Sequence, residues 1–209
     1  MQCRGIWRRR AVGHYVGMAG FAAIIAVGAI GNVWAGQPGK GQHSPYVSAQ
    51  DVPNFHVIYP FLWRGAAPTE AGLRSLKSQG VRTVIDLRIA PKKVAAERRF
   101  VESLGLRFIN LPMSGDPPTD KQIKTFLKTV TSATDQPVFL HCQHGADRTG
   151  TLIGIYRERV DGWDFNRAYK EMRRYGFDPH WKKLTATVRR YAPTSATSNA
   201  VRTADRGKR

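Results

Sequence analysis

A chain of 209 residues with 42% hydrophobic and 23% charged residues can bury one ordinary core, which excludes wholesale disorder and leaves room only for short appendages. Lys and Arg number 33 against 15 Asp and Glu, giving a net charge of +18. That excess is spread along the chain rather than gathered in one run, so it suits a solvated basic surface and gives no motif for nucleic-acid binding.

The first 35 residues have the pattern of an export signal. Arg4, Arg8, Arg9 and Arg10 form a positive region, and an apolar Gly/Ala-rich stretch runs from Val16 to Val33. Val33-Trp34-Ala35 then offers a small residue at the cleavage position. The expectation is an exported, periplasmic protein cleaved after Ala35. The alternative is a retained inner-membrane anchor, since the apolar run approaches the roughly 18–20 residues that span a bilayer. Cys3 precedes the apolar stretch, so it does not read as a lipoprotein cysteine.

Residues 36–51, rich in Gly, Pro, Gln and Ser, are expected to form a linker. The regular pattern of one domain begins at residue 52 and ends near 192. FHVIYPFLWRG predicts extended structure. Pro68-Thr69-Glu70 opens a short helix carrying Leu73 and Leu76, which Gly80 stops. VRTVIDLR is a compact strand. PKKVAAERRFVESLG starts a helix on its proline and ends it at Gly105. LRFINLPM is the next strand, followed by the loop SGDPPTD. Ile123, Phe126, Leu127 and Val130 then fall at helical spacing. PVFLHC is a buried strand, and the C-terminal third reads as three helices. Residues 193–209 have no apolar periodicity and are expected to be a disordered basic tail. Strands alternating with helices predict an α/β fold, a single domain with a mainly parallel central sheet flanked by helices on both faces.

Removal of the signal would leave one cysteine, Cys142, in the stretch HCQHGADRTG. It stands at the C-terminal end of a strand with a helix starting near Arg148-Thr149, the edge of an α/β sheet where ligands bind. The spacing Cys-x5-Arg forces a tight loop, for which Gly145 supplies conformational freedom. Amides pointing into such a loop, with a helix N-terminus behind them, make an anion site that also favours a thiolate. Arg148 can hold two oxygens of a phosphate at once. A thiolate facing a held phosphate is poised for phosphoryl transfer.

His141, Cys142, Gly145, Arg148, Thr149 and Gly150 match the signature H-C-x-x-G-x-x-R-[ST]-G, and the chain resembles the cysteine-dependent protein tyrosine phosphatases, in particular the compact bacterial dual-specificity type. The likeness runs from about Leu62-Trp63-Arg64-Gly65 through Gly176-Phe177. It implies that Cys142 is the nucleophile and Arg148 the phosphate clamp. Thr149 would assist departure of the thiolate, and His141 would hold the loop from behind. The substrate phosphate would be bound by Gln143, His144, Gly145, Ala146, Asp147 and Arg148. The resemblance implies no metal and no cofactor, and the six histidines are scattered in sequence with no Cys or acidic cluster beside them. A Cys–His pair of the thiol-protease kind is disfavoured, because amides and arginine already make the thiolate. His144 reads as a polar wall residue.

The general acid has two candidates. Asp116, 26 residues before Cys142 in the loop SGDPPTD, occupies the place where the resembling family brings in its acid on a mobile loop. Asp147, directly before Arg148, is the acid in some relatives with Asp-Arg-Thr in this loop; otherwise it braces the loop. Asp120 reads as a first-turn helix residue. Arg64 and Arg88, at strand ends, either line the approach or brace loops through carboxylates. Trp163 and Trp181 read as core.

The expected activity is hydrolysis of phosphate monoesters, foremost protein phosphotyrosine, through phosphocysteine, with phosphoinositides or inositol phosphates as the alternative. The loop QHGAD carries no Lys or Arg before Arg148, which favours a singly phosphorylated substrate. A rhodanese-like sulfurtransferase shares a cysteine at a strand end but not the Arg-Thr-Gly ending, and a phospho-ligand binder has no use for the thiol. The expected partner is a phosphorylated protein or a small phosphate monoester, with no nucleic acid, membrane contact only through an uncleaved N-terminal segment, and a monomeric state.

Overall fold

The computed structural model describes residues 47–192; the expected signal segment and the basic tail lie outside the described residues. Five strands and six helices follow in the order β1 (His56–Tyr59), β2 (Leu62–Gly65), α1 (Glu70–Ser78), β3 (Thr83–Asp86), α2 (Pro91–Ser103), β4 (Arg107–Asn110), α3 (Asp120–Thr131), β5 (Val138–His141), α4 (Asp147–Arg159), α5 (Phe165–Arg174) and α6 (Lys182–Arg190). The sheet order is β1-β2-β5-β3-β4. β2, β5, β3 and β4 are parallel, and only β1 is antiparallel, closing a hairpin onto β2. The mainly parallel α/β sheet expected from the strand–helix alternation is therefore present.

Period-two alternation in the short strands divides the core between the two faces. Leu62, Ile85, Val138 and Leu140 pack with Phe126 of α3, Leu152 and Ile155 of α4, Met172 of α5 and Leu184 and Val188 of α6. Trp63, Val84, Phe108 and Phe139 pack on the other side with Leu73 and Leu76 of α1 and Val101 of α2. The same parity carries His141 and Asp86 to the α1–α2 side and leaves Cys142 in the core of the α3–α6 side.

Helix ends follow local chemistry. Thr69 caps α1 by accepting from the Gly72 amide, and Thr119 and Gln122 form a capping box on α3. Residues 47–51, expected as the end of a linker, are instead tied to the fold. Val47 packs on the α1–α2 core, and the Thr69 hydroxyl donates to Asp51 Oδ1 at 2.7 Å. Among the described residues no helix is long and apolar enough to cross a membrane.

Trp163 and Trp181 depart from expectation. Trp163 precedes α5, half-buried, with the guanidinium groups of Arg157 and Arg167 over its ring at 4.2 and 3.8 Å. Trp181 precedes α6 and is 40% exposed. Helical spacing in sequence does not distinguish a core tryptophan from one stacked at a helix start.

Candidate active site

Cys142 follows the last residue of β5 and is buried, the only free cysteine among the described residues. The loop after it runs to Asp147, where α4 begins one residue earlier than expected. Every carbonyl from Gln143 to Asp147 accepts a hydrogen bond. Gln143 O accepts from the Ala67 amide at 3.4 Å, and His144 O from Asn54 Nδ2 at 3.2 Å. Gly145 O accepts from Arg64 Nη2 at 2.5 Å and Ala146 O from the Gly150 amide at 2.7 Å. Asp147 O accepts from the Thr151 hydroxyl at 2.8 Å. With every carbonyl engaged, the amides are left for an anion, and those of His144 and Thr149 reach the Cys142 sulfur. None of the amides of Gln143, His144, Gly145 and Ala146 donates to a backbone carbonyl of the described residues. A loop of inward amides at a helix start is a nest for an anion.

Gly145 makes this close approach possible. Its φ is +68°, and a Cβ there would lie 2.4 Å from the Gly65 carbonyl carbon. Asn54, itself at φ +53°, donates also to Tyr175 O at 3.1 Å, so one side chain joins the loop to the end of α5. Arg148 Nη1 lies 3.2 Å from Met113 O and 3.4 Å from Leu87 O, which aims the guanidinium along the mouth of the loop.

Burial pushes the Cys142 thiol up, but the Thr149 hydroxyl and amide, the Arg148 charge and the His144 amide outweigh it and hold the thiol below its ordinary range. The Thr149 hydroxyl is fully buried and makes no hydrogen bond of standard geometry among the described residues. It is thus free to turn toward sulfur.

Behind the loop sits a buried ionic network that the sequence did not reveal. His141 Nε2 meets Glu97 Oε1 at 2.7 Å, and its Nδ1 lies 3.3 Å from Cys142 O. Arg88 bridges Asp86 and Glu97 at 3.0 and 2.6 Å. This corrects the expectation that no acidic group attends a histidine, since folding brings Asp86 and Glu97, remote in sequence, around His141. Their donor atoms cluster closely enough to suggest a metal site. The Arg88 guanidinium bridges both carboxylates and His141 Nε2 pairs with Glu97, so the set works as an ion-pair network. Arg88 thus braces through carboxylates, one of its two expected roles. Arg64 braces too, but through a carbonyl.

The two candidate acids lie in different settings. Asp147 Oδ1 accepts the Asp178 amide at 2.8 Å, tying the helix start to the α5–α6 connection. Asp116 is on the exposed loop after β4, where Lys183 Nζ reaches Oδ1 at 2.8 Å and Ser114 Oγ lies 3.4 Å from Oδ2. His144 is exposed and Gln143 half-buried, both at the rim. Asn54, Tyr175, Glu97 and Lys183 carried no spacing signal. Only Asn54, next to Pro53 and ahead of a strand, had the residue type for a left-handed turn.

A buried thiol at the C-terminal end of the central strand, a loop with free amides and an arginine beside it are features of the cysteine-dependent phosphatase family. Residues 47–190 match the family model described as a DSP-PTPase phosphatase fused to NAD+ kinase, and the chain belongs to that family. The dual specificity protein phosphatase TpbA of Pseudomonas aeruginosa is 31% identical over 125 residues, 59% of this chain and 55% of TpbA. The match therefore spans about half the length of that relative. The inositol diphosphatase SIW14 of Saccharomyces cerevisiae is 26% identical over 130 residues, 59% of this chain and 46% of its own. A crystal structure of P. aeruginosa TpbA in complex with pTyr superposes with a TM-score of 0.58 at 26% identity, covering 76% of this chain and 93% of that one.

Proposed function

We propose that this protein hydrolyses phosphate monoesters, foremost protein phosphotyrosine, through a phosphocysteine at Cys142. The observation that carries the proposal is that all five carbonyls from Gln143 to Asp147 are engaged by donors, which leaves the loop amides for the sulfur and for any phosphate before it. The Cys142 thiolate attacks phosphorus, and the ester oxygen departs with a proton. Arg148 and the loop amides hold the three non-bridging oxygens as charge moves onto the leaving group. Water then attacks the phosphocysteine, the acid now acts as base, and Thr149 donates toward the departing thiolate. No metal enters either step.

Asp116 serves as the general acid in this scheme. The Asp147 carboxylate is engaged by the Asp178 backbone amide, whereas the Asp116 carboxylate is solvent-exposed and meets only the side chains of Lys183 and Ser114. The phosphotyrosine complex of TpbA supports the substrate class. The similarity to SIW14, an inositol diphosphatase, supports inositol phosphates as a second reading. Export to the periplasm rests on the first 35 residues.

The test is phosphate release by the purified protein from a phosphotyrosine peptide, a phosphoserine/threonine peptide, a phosphoinositide and an inositol polyphosphate, with Cys142→Ser alongside. Turnover of the tyrosine peptide that vanishes in the serine variant is expected. Preference for the inositol polyphosphate would transfer the substrate to the second reading. Release unaffected by Cys142→Ser would overturn the mechanism.

A further inference from the structure

The loop carrying Asp116 is held in place from one side by α6. Gly115 packs flat on Trp181, so closely that a Cβ would lie 2.3 Å from the indole ring. Lys183 extends to Asp116 Oδ1 at 2.8 Å. Between the two segments lies an open cleft of about 400 Å³ lined by Ser114, Gly115, Asp116, His180, Trp181, Lys182 and Lys183. Both walls are anchored to the last residues of the phosphate loop. Met113, at the root of the first wall, accepts from Arg148, and Asp178, at the root of the second, donates its amide to Asp147. The cleft walls are thus tethered through Met113 and Asp178 to Arg148 and Asp147.

We propose that Lys183, backed by Trp181, is the positioning residue for the Asp116 loop: it anchors the Asp116 carboxylate across this cleft and thereby governs when Asp116 gives up a proton to a leaving group. The inference rests on Asp116 being the general acid. An acid must carry its proton when the ester bond breaks, whereas the Lys183 ammonium favours the ionised carboxylate. Hydrogen bonding and charge from Lys183 hold Asp116 below the ordinary carboxylate range, with Ser114 adding a little. The other groups around the cleft do not replace Lys183. His180 pairs with Asp178 at 2.7 Å, and the Lys182 ammonium has no carboxylate within ion-pair distance among the described residues. Both partners are mostly solvent-exposed, 72% for Lys183 and 67% for Asp116, so the pair contributes little to stability. Its effect falls on the titration and placement of Asp116.

The test is the pH dependence of kcat/KM toward a phosphotyrosine peptide in the full chain. In the parent protein the alkaline limb, where the acid loses its proton, is expected to vanish in Asp116→Asn. In Lys183→Met the limb moves to higher pH, so the activity remaining at neutral pH relative to its acidic maximum rises several-fold. Lys183→Arg keeps the parent limb. Gly115→Ala, which must push the loop off Trp181, moves it as Lys183→Met does. Raising the salt concentration moves the parent limb the same way, because an exposed pair is screened. A limb lost in Asp116→Asn but unmoved in Lys183→Met and by salt overturns the positioning role. A limb that survives Asp116→Asn overturns Asp116 as the acid and the inference with it. Cys142→Ser, read separately, still decides whether the phosphatase reading stands.

Discussion

Arg64 donates to the carbonyl of Gly145 at 2.5 Å from a position with no solvent exposure, beneath the ring of Tyr175. This is the only hydrogen bond of its guanidinium: Nε and Nη1 have no partner among the described residues. Burial brings Arg64 down to about 10, against opposing pulls from Glu171, Tyr175 and Cys142. A buried cation so sparsely paired is costly to keep, and its charge is coupled to that of the Cys142 thiolate.

Arg64→Met is therefore expected to separate folding from chemistry. An apolar side chain of similar length relieves the buried charge, so the melting temperature is expected to hold or rise. The Cys142 thiol loses a favourable charge and the Gly145 carbonyl its donor. The pH midpoint of iodoacetamide alkylation should then rise. A hydrogen bond to a charged group is worth about 1.5–3 kcal/mol, so turnover should fall roughly ten- to a hundredfold. Unchanged alkylation in a well-folded variant would remove Arg64 from the account of the thiolate.

His141 and Glu97 make stability depend on pH above neutrality. Burial pulls the imidazole down, but the Glu97 hydrogen bond and the charges of Glu97 and Asp86 outweigh it and raise His141 above its ordinary value of 6.5. A raised folded pKa means that stabilisation is complete below about 6.5 and is lost as pH climbs through the folded value. Charge also balances in this state, with Arg88 and imidazolium facing two carboxylates. Urea midpoints should fall as pH rises above neutrality in the parent protein. Glu97→Gln should be less stable throughout and show a flatter decline. An equal slope in both proteins would mean that His141 is not the titrating group.

The sheet and the phosphate loop were legible because they rest on local signals. β3 and β5 are short apolar runs bounded by turn residues, and HCQHGADRTG carries its own geometry in Gly145 and the Cys-to-Arg spacing. What supports the loop was not legible. Glu97 reads as one more charge on α2, and 44 residues separate it from His141; only the register that sets Asp86 beside His141 brings the group together. Lys183 likewise reads as a surface lysine, and its partner is 67 residues away. Helical periodicity reports a face and not what covers it, so it does not reveal that Trp181 is partly exposed and covered by Gly115.

Gly145→Ala tests the loop without touching a reacting group. The new methyl would face the Gly65 carbonyl at 2.4–2.5 Å, with backbone on both sides and no flexible side chain to give way. The positive φ adds strain of about 1–2 kcal/mol, and the contact adds to it. Stability is expected to drop by more than about 2 kcal/mol in urea unfolding, and turnover by more than stability alone explains, because the amides no longer converge. Parent-like turnover in Gly145→Ala would show that the loop tolerates another backbone path.

Glu158 isolates a cost that the fold carries away from the site. It lies in α4, 3% exposed, and neither carboxylate oxygen finds a hydrogen bond among the described residues. Burial pushes its carboxyl up to about 8; Arg189 pulls it down, and Asp164 adds to the rise. The Arg189 guanidinium lies 3.7 Å over the Phe165 ring, and no salt bridge joins it to Glu158 among the described residues. For an acid whose folded pKa is raised, stability is complete below the unfolded value of about 4.3 and is lost as pH rises through the folded value. Glu158→Gln removes that loss. Its melting temperature should exceed the parent's near pH 8.5, by the equivalent of about 1–3 kcal/mol, and match it near pH 5. Ten residues of helix, roughly 15 Å, separate it from Arg148, so turnover should be unchanged. The same gain at both pH values would point to packing instead of charge. No gain at either would mean that water or Arg189 satisfies the carboxylate in solution.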